Sequence, residues 1–105
     1  MEYNFDKIYN LLKTHLVLND DDFLCSDSLG LTQDQFINLF MSIKEKAKNS
    51  IEYPDQNFFV SQFVFQYKDE IIIGRELWGQ GWGCQFLLAR SFPEIQYDKS
   101  KVFRL

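Results

Sequence analysis

Histidine occurs once in the 105 residues, at His15, and cysteine twice, at Cys25 and Cys84. Without C-x-x-C spacing or paired neighbours to complete four ligands, the sequence predicts no structural metal, no cofactor and no disulfide framework. Both cysteines are expected to be reduced and buried, as in a cytoplasmic protein. Five glycines and two prolines are few, which argues against disorder and against a fibrous repeat. No apolar run approaches the roughly 20 residues needed to span a bilayer, and Met1-Glu2-Tyr3-Asn4-Phe5-Asp6 lacks a basic region followed by an apolar one. Positive charge is also short: 11 Lys and Arg stand against 15 Asp and Glu, a net charge of −4. Such a balance does not suit a surface that neutralises phosphates or lipid head groups, so neither nucleic acid nor membrane is an expected partner.

Apolar material is plentiful, with 46% hydrophobic residues and 17% aromatics. That supports one core, and residues 1–105 are expected to form a single domain with a helical half (1–50) and a β half (51–105). Phe5, Ile8, Tyr9, Leu12 and Leu16 recur at helical spacing, with Leu11 widening the stripe, and predict a helix from Phe5 to Leu18 capped by Asn4. Asn19-Asp20-Asp21-Asp22 sets carboxylates against the negative end of the helix dipole and should be an exposed turn. A second helix is marked by Thr32 and Gln35 at capping-box spacing, with Leu31 and Phe36 placed as a hydrophobic staple. Phe36, Ile37, Phe40, Ile43 and Ala47 form its stripe, Lys44, Lys46 and Lys48 suit its C-terminus, and Asn49-Ser50 should end it.

After the turn composition of Tyr53-Pro54-Asp55-Gln56-Asn57, the pattern changes to strand chemistry. Phe58 to Tyr67 and Ile71-Ile72-Ile73, separated by Lys68-Asp69-Glu70, predict a β-hairpin whose Phe63, Phe65 and Tyr67 face the helices. Cys84 to Ala89 reads as a third strand, and Tyr97 to Leu105 as a fourth at an edge guarded by Lys99, Lys101 and Arg104. The expected fold is α+β, with two N-terminal helices packed on one face of a three- or four-stranded antiparallel sheet.

Leu77-Trp78-Gly79-Gln80-Gly81-Trp82-Gly83-Cys84 predicts a wide, glycine-rich hairpin loop or a bulge between strands. Its indoles either fold back over the core or stand exposed as anchors for a partner. Within it, Gln80-Gly81-Trp82-Gly83-Cys84 resembles the nucleophile segment of cysteine peptidases that process ubiquitin-like modifiers, where the final Cys attacks the scissile carbonyl. No His follows Cys84 in this chain, so a hydrolase would have to recruit His15, which is better read as a helix-packing residue. Asp27-Ser28-Leu29 resembles the attachment triplet of acyl carrier proteins, but the helix capped at Thr32 starts too late and the remainder of the chain is β. Ser28 reads more simply as a turn residue.

Charge is unevenly spread, with seven acidic and two basic side chains in residues 1–34. The run Asp20-Asp21-Asp22 has no EF-hand pattern after it; it is either a solvated loop or a patch able to steer a basic protein. Size, acidity and α+β composition together resemble the bacterial immunity proteins, small inhibitors that neutralise a cognate toxin, often a basic nuclease. That resemblance implies a partner-binding protein, monomeric when free, that occludes a basic active site. Asp20, Asp21, Asp22 and Asp27 would imitate phosphates, and Trp78 and Trp82 would supply the anchor. The alternatives are a cysteine-dependent hydrolase using Cys84 with His15, and an oligomeric scaffold or accessory domain.

Overall fold

The computed structural model describes residues 5–20, 30–53, 59–79 and 81–105. The first apolar stripe folds as α1 (Asp6–His15), burying Ile8, Tyr9 and Leu12. The helix ends three residues before Leu18, because Leu16 adopts a left-handed conformation (φ 71°) while its N–H still bonds the Leu12 carbonyl. Val17–Asn19 then extends as β1, and strand alternation turns Leu18 fully into the core. Phe5 occupies the N-cap without a side-chain bond, and Asn4 lies outside the described residues.

Helix α2 (Gln33–Ala47) begins where its capping box predicts. The Gln35 N–H donates to Thr32 Oγ1 at 3.1 Å, and the Thr32 N–H donates to Gln35 Oε1 at 2.9 Å. It buries Phe36, Leu39, Phe40, Ile43 and Ala47, and Lys48, left-handed at φ 54°, closes it just before Asn49.

The remaining strands are β2 (Ile51–Glu52), β3 (Phe59–Tyr67), β4 (Glu70–Trp78), β5 (Trp82–Leu88) and β6 (Phe103–Arg104). Among the described residues the fold is thus α+β, with two α-helices and a six-stranded, mostly antiparallel sheet in the order β1-β5-β4-β3-β2. This is more strands than the sequence predicts, since β1 and β2 are too short to carry a readable alternation. The predicted third strand starts two residues early, at Trp82, and stops at Leu88, where Ala89–Ser91 tightens into a 3-10 turn. The predicted edge strand shrinks to β6, preceded by a 3-10 turn at Lys99–Lys101, and it pairs with β3 in parallel. No helix among the described residues is long and apolar enough to cross a membrane.

Cross-strand register fixes the two faces of the sheet. Phe65 pairs with Ile72 and Ile72 with Leu88, while Phe63 and Phe86 flank Gly74. These side chains share a core with α1 and α2. Phe5 meets Phe65, Phe36 meets Phe86 and Phe40 meets Phe63 edge to face, with centroids 5.0–5.5 Å apart. A Cβ on Gly74 would sit 2.2 Å from the Phe63 ring, so that ring occupies the space a side chain would need. On the opposite face Val64, Ile73 and Leu87 form a second apolar cluster, covered by Phe92, Ile95, Tyr97 and Val102 of the C-terminal stretch.

One edge of β3 receives both β2, opposite Ser61 and Gln62, and β6, opposite Phe65 and Gln66. Asn49 fills the gap between them. Its Oδ1 accepts from the Val64 N–H at 3.1 Å, and its Nδ2 donates to the carbonyls of Val64 and Lys101, both at 2.8 Å. One side-chain amide thus replaces a residue of strand backbone.

Candidate partner-binding site

The predicted wide loop is a tight hairpin end. Strand β4 runs five residues beyond Ile73, Trp78 pairs directly with Trp82, and three residues, 79–81, make the connection. Gly81 has φ 133°, a conformation that L side chains rarely adopt, and the Gly79 N–H bonds the Gly81 carbonyl at 3.3 Å. The strands therefore carry the indoles to the very end of the hairpin, where Trp78 is 56% and Trp82 36% exposed. Alternation along β4 and β5 puts both on the sheet face that carries Phe86 and meets the helices.

Glu76, two residues before Trp78 on that face, holds this end together. Its Oε2 accepts from Trp82 Nε1 at 2.8 Å, and its Oε1 accepts from Ser61 Oγ at 2.7 Å and from Lys44 Nζ of α2. Burial pushes the Glu76 carboxyl up, but the hydrogen bonds from Lys44, Trp82 and Ser61 outweigh it and hold the group below the usual glutamate range. The Trp82 indole is thereby fixed in orientation while its ring remains open to solvent. Met41, three residues before Lys44 on the same flank of α2, is exposed as well. Sequence reading misses Glu76, Lys44 and Ser61, because a strand ended at Ile73 gives Glu76 no face; extending its alternation to Trp78 is the signal that finds them.

Asp20 departs from the exposed turn the sequence predicts. It is 7% exposed, with its backbone N–H on the Cys84 carbonyl at 2.9 Å. Its carboxylate accepts from the Cys84 N–H and from Gln33 Nε2, each at 3.1 Å. Oδ1 is so close to β5 that a Cβ on Gly83 would stand 3.0 Å away. A carboxylate removed from water needs such donors, and Asp20 spends its oxygens on the fold rather than on a surface. Asp21, Asp22 and Asp27, like Cys25 and Ser28, lie outside the described residues.

Cys84 and His15 are not brought together. Cys84 is fully buried, whereas His15 is exposed at the last turn of α1. The next residue, Leu16, accepts from the Leu88 N–H, which puts the end of α1 four residues, or roughly 13 Å of strand, from Cys84.

What the fold and site define is a small α+β chain that presents a braced indole pair. No family model matches the chain, and neither a curated protein nor a solved structure matches it.

Proposed function

We propose that this chain is a protein-binding module that docks through Trp78 and Trp82, and that its partner is basic. The observation that carries the reading is the exposed cross-strand indole pair braced by Glu76. Large aromatic rings held in one orientation lose little rotamer freedom on binding and are the commonest interface anchors. The net charge of −4 favours approach of a cationic partner. Inhibition of a cognate basic toxin, the activity of immunity proteins, is the specific form we propose, with the toxin's cleft occluded by the hairpin end. Asp21, Asp22 and Asp27 remain candidates for contact, whereas the Asp20 carboxylate is engaged with Cys84 and Gln33.

Co-expression with a basic toxin encoded beside the gene tests this by growth rescue. The intact chain should rescue, and Trp78→Ala with Trp82→Ala should lose rescue while its far-ultraviolet circular dichroism stays that of the folded parent, with a lower melting temperature from the lost Trp82–Glu76 hydrogen bond. Each truncation should weaken binding by about 2 kcal/mol, or roughly 30-fold in Kd. Full rescue by the double variant would remove the hairpin end from the mechanism. Concentration-dependent sedimentation of the free chain, lost on truncation of the indoles, would instead favour a self-associating scaffold.

A further inference from the structure

The two indoles at the end of the β4–β5 hairpin are not equivalent. The N–H of Trp82 is the only polar group of its side chain and is spent on Glu76 Oε2 at 2.8 Å, which leaves π surface for a partner to touch. A hydrogen bond donated to an anion also pushes electron density into the ring and makes its faces more negative. Trp78, the more exposed of the two, makes no hydrogen bond among the described residues. Elsewhere the chain covers its own rings with cations: Lys13 Nζ lies 4.6 Å and Lys68 Nζ 5.5 Å from the Tyr9 centroid. Among the described residues no cation covers either indole.

Charge around the indoles is mostly negative. The Lys44 ammonium is paired with Glu76, and the two side chains are only 21% and 12% exposed, so the pair is close to neutral toward solvent. The Asp20 carboxylate is held by neutral donors, the Cys84 N–H and the Gln33 amide, and lies beside Gly83, the residue after Trp82. Glu52, which is exposed, stands in the same cross-strand row as Ser61 and Glu76. Three of these four charged side chains are acids, and the one cation is already paired.

We propose that the hairpin end recognises arginine: a guanidinium of the basic partner lies flat on the Trp82 ring, with Trp78 as the adjoining wall. This rests on the reading of the hairpin end as the docking surface and names the group that the surface takes. A cation over an indole face is attracted by the ring quadrupole, and tryptophan is the strongest such platform among the side chains. The guanidinium is planar, delocalised and weakly hydrated, so it stacks on the ring at less cost in lost water than the compact ammonium of lysine. Long-range attraction by the acids brings any cation to this end of the sheet, but it does not tell one cation from another. The choice of arginine over lysine therefore belongs to the indoles.

The test is a titration of the ¹⁵N-labelled full chain with acetyl-hexaarginine amide and with acetyl-hexalysine amide, which carry equal charge, followed through the indole N–H resonances of Trp78 and Trp82. Both resonances should shift saturably, and the arginine peptide should bind at least about threefold more tightly than the lysine peptide, the scale of one exposed cation–π contact. Raising the salt from about 0.15 M to about 0.5 M should weaken both peptides and leave their ratio standing, because salt screens charge between exposed groups far more than a contact on the ring face. This comparison uses the unaltered protein, so it holds even if a variant misfolds. Trp82→Ala should bring the two peptides to equal affinity, and Trp82→Phe, which keeps a ring but has no N–H for Glu76, should fall between. Equal affinity of the two peptides for the parent, indole resonances that stay in place, or an unchanged ratio in Trp82→Ala would each overturn the proposal. Its failure is distinguishable from that of the docking reading: rescue lost in the double variant with equal peptide affinity removes arginine recognition alone, whereas rescue retained by the double variant removes docking whatever the peptides show.

Discussion

Glu76 receives three hydrogen bonds from three different elements, and its protonation is therefore felt in the fold. The folded chain holds its pKa below the ordinary 4.5, so in acid the unfolded chain takes up the proton first. The stability it contributes is present above the ordinary glutamate range and is lost as the pH falls through the folded pKa. Melting temperature followed from pH 7 to pH 3 should fall more steeply for the parent than for Glu76→Gln, which should already be weaker at pH 7 by about 1–3 kcal/mol. Equal slopes would show that the carboxylate carries no such load. Gly74 makes a steric counterpart: Gly74→Ala puts a methyl group into the Phe63 ring and should cost about 1–3 kcal/mol in urea denaturation, with the m-value unchanged. Neither role can be read from residue type alone, since an acid or a glycine within a strand takes its meaning from what the neighbouring strand and helix put beside it.

Among the elements, α2 is the one whose start was fully written in the sequence. Thr32 and Gln35 satisfy each other's backbone donors locally, so no distant contact had to be known. The sequence overextends the first helix because Leu16 continues its apolar stripe, while the left-handed turn at Leu16 that switches periodicity from helix to strand leaves no compositional mark. Strands β1 and β2 owe their existence to partners far along the chain, β5 and β3, and so were illegible. The hairpin end stands out in the sequence as an aromatic segment, but its three glycines suggest a wider loop, and only pairing with β5 reveals how far the strands run. Asn49 belongs at this scale as well. In the sequence it reads as a helix terminator, whereas in the fold it also ties the Lys99–Lys101 turn to β3, between β2 and β6. Asn49→Ala strands the Val64 N–H and two carbonyls and should cost about 2–3 kcal/mol, while Asn49→Asp, which keeps the acceptor but loses the donor, should fall between. Hydrogen exchange at the Val64 amide checks this directly, and unchanged protection in Asn49→Ala would refute it.

Among the described residues, side chains of one sheet face share a buried cluster with apolar residues of α1 and α2, and those of the other face with the C-terminal stretch. The fold class was legible because aromatic alternation in Phe63, Phe65 and Tyr67 requires a covered face; the second covering was not, because residues 89–102 carry no periodic pattern. A clasp joins α1 to the β3–β4 turn. Tyr67 donates to Asp6, Tyr9 donates to Asp69, and Lys68 Nζ lies 3.1 Å from Asp6. Burial, the hydrogen bond to Asp6 and the Asp6 charge push the Tyr67 hydroxyl up from 10.0 to about 12. Because the unfolded chain releases that proton first, this stabilisation is intact below pH 10 and drains away as the pH rises from 10 toward 12. Absorbance titration should show Tyr67 ionising about two pH units late, and Tyr67→Phe should remove that step and flatten the alkaline loss of stability.

The chain's two tryptophans are the facing pair at the end of the β4–β5 hairpin. Emission excited at wavelengths beyond the absorption of the five tyrosines therefore comes from a single spot on the protein's surface, and the phenylalanine-rich interior contributes nothing to it. A fluorescence melt would time the loosening of that tip, while far-ultraviolet dichroism would time the loss of helices and sheet, and any gap between the two curves would measure how independently the tip comes apart.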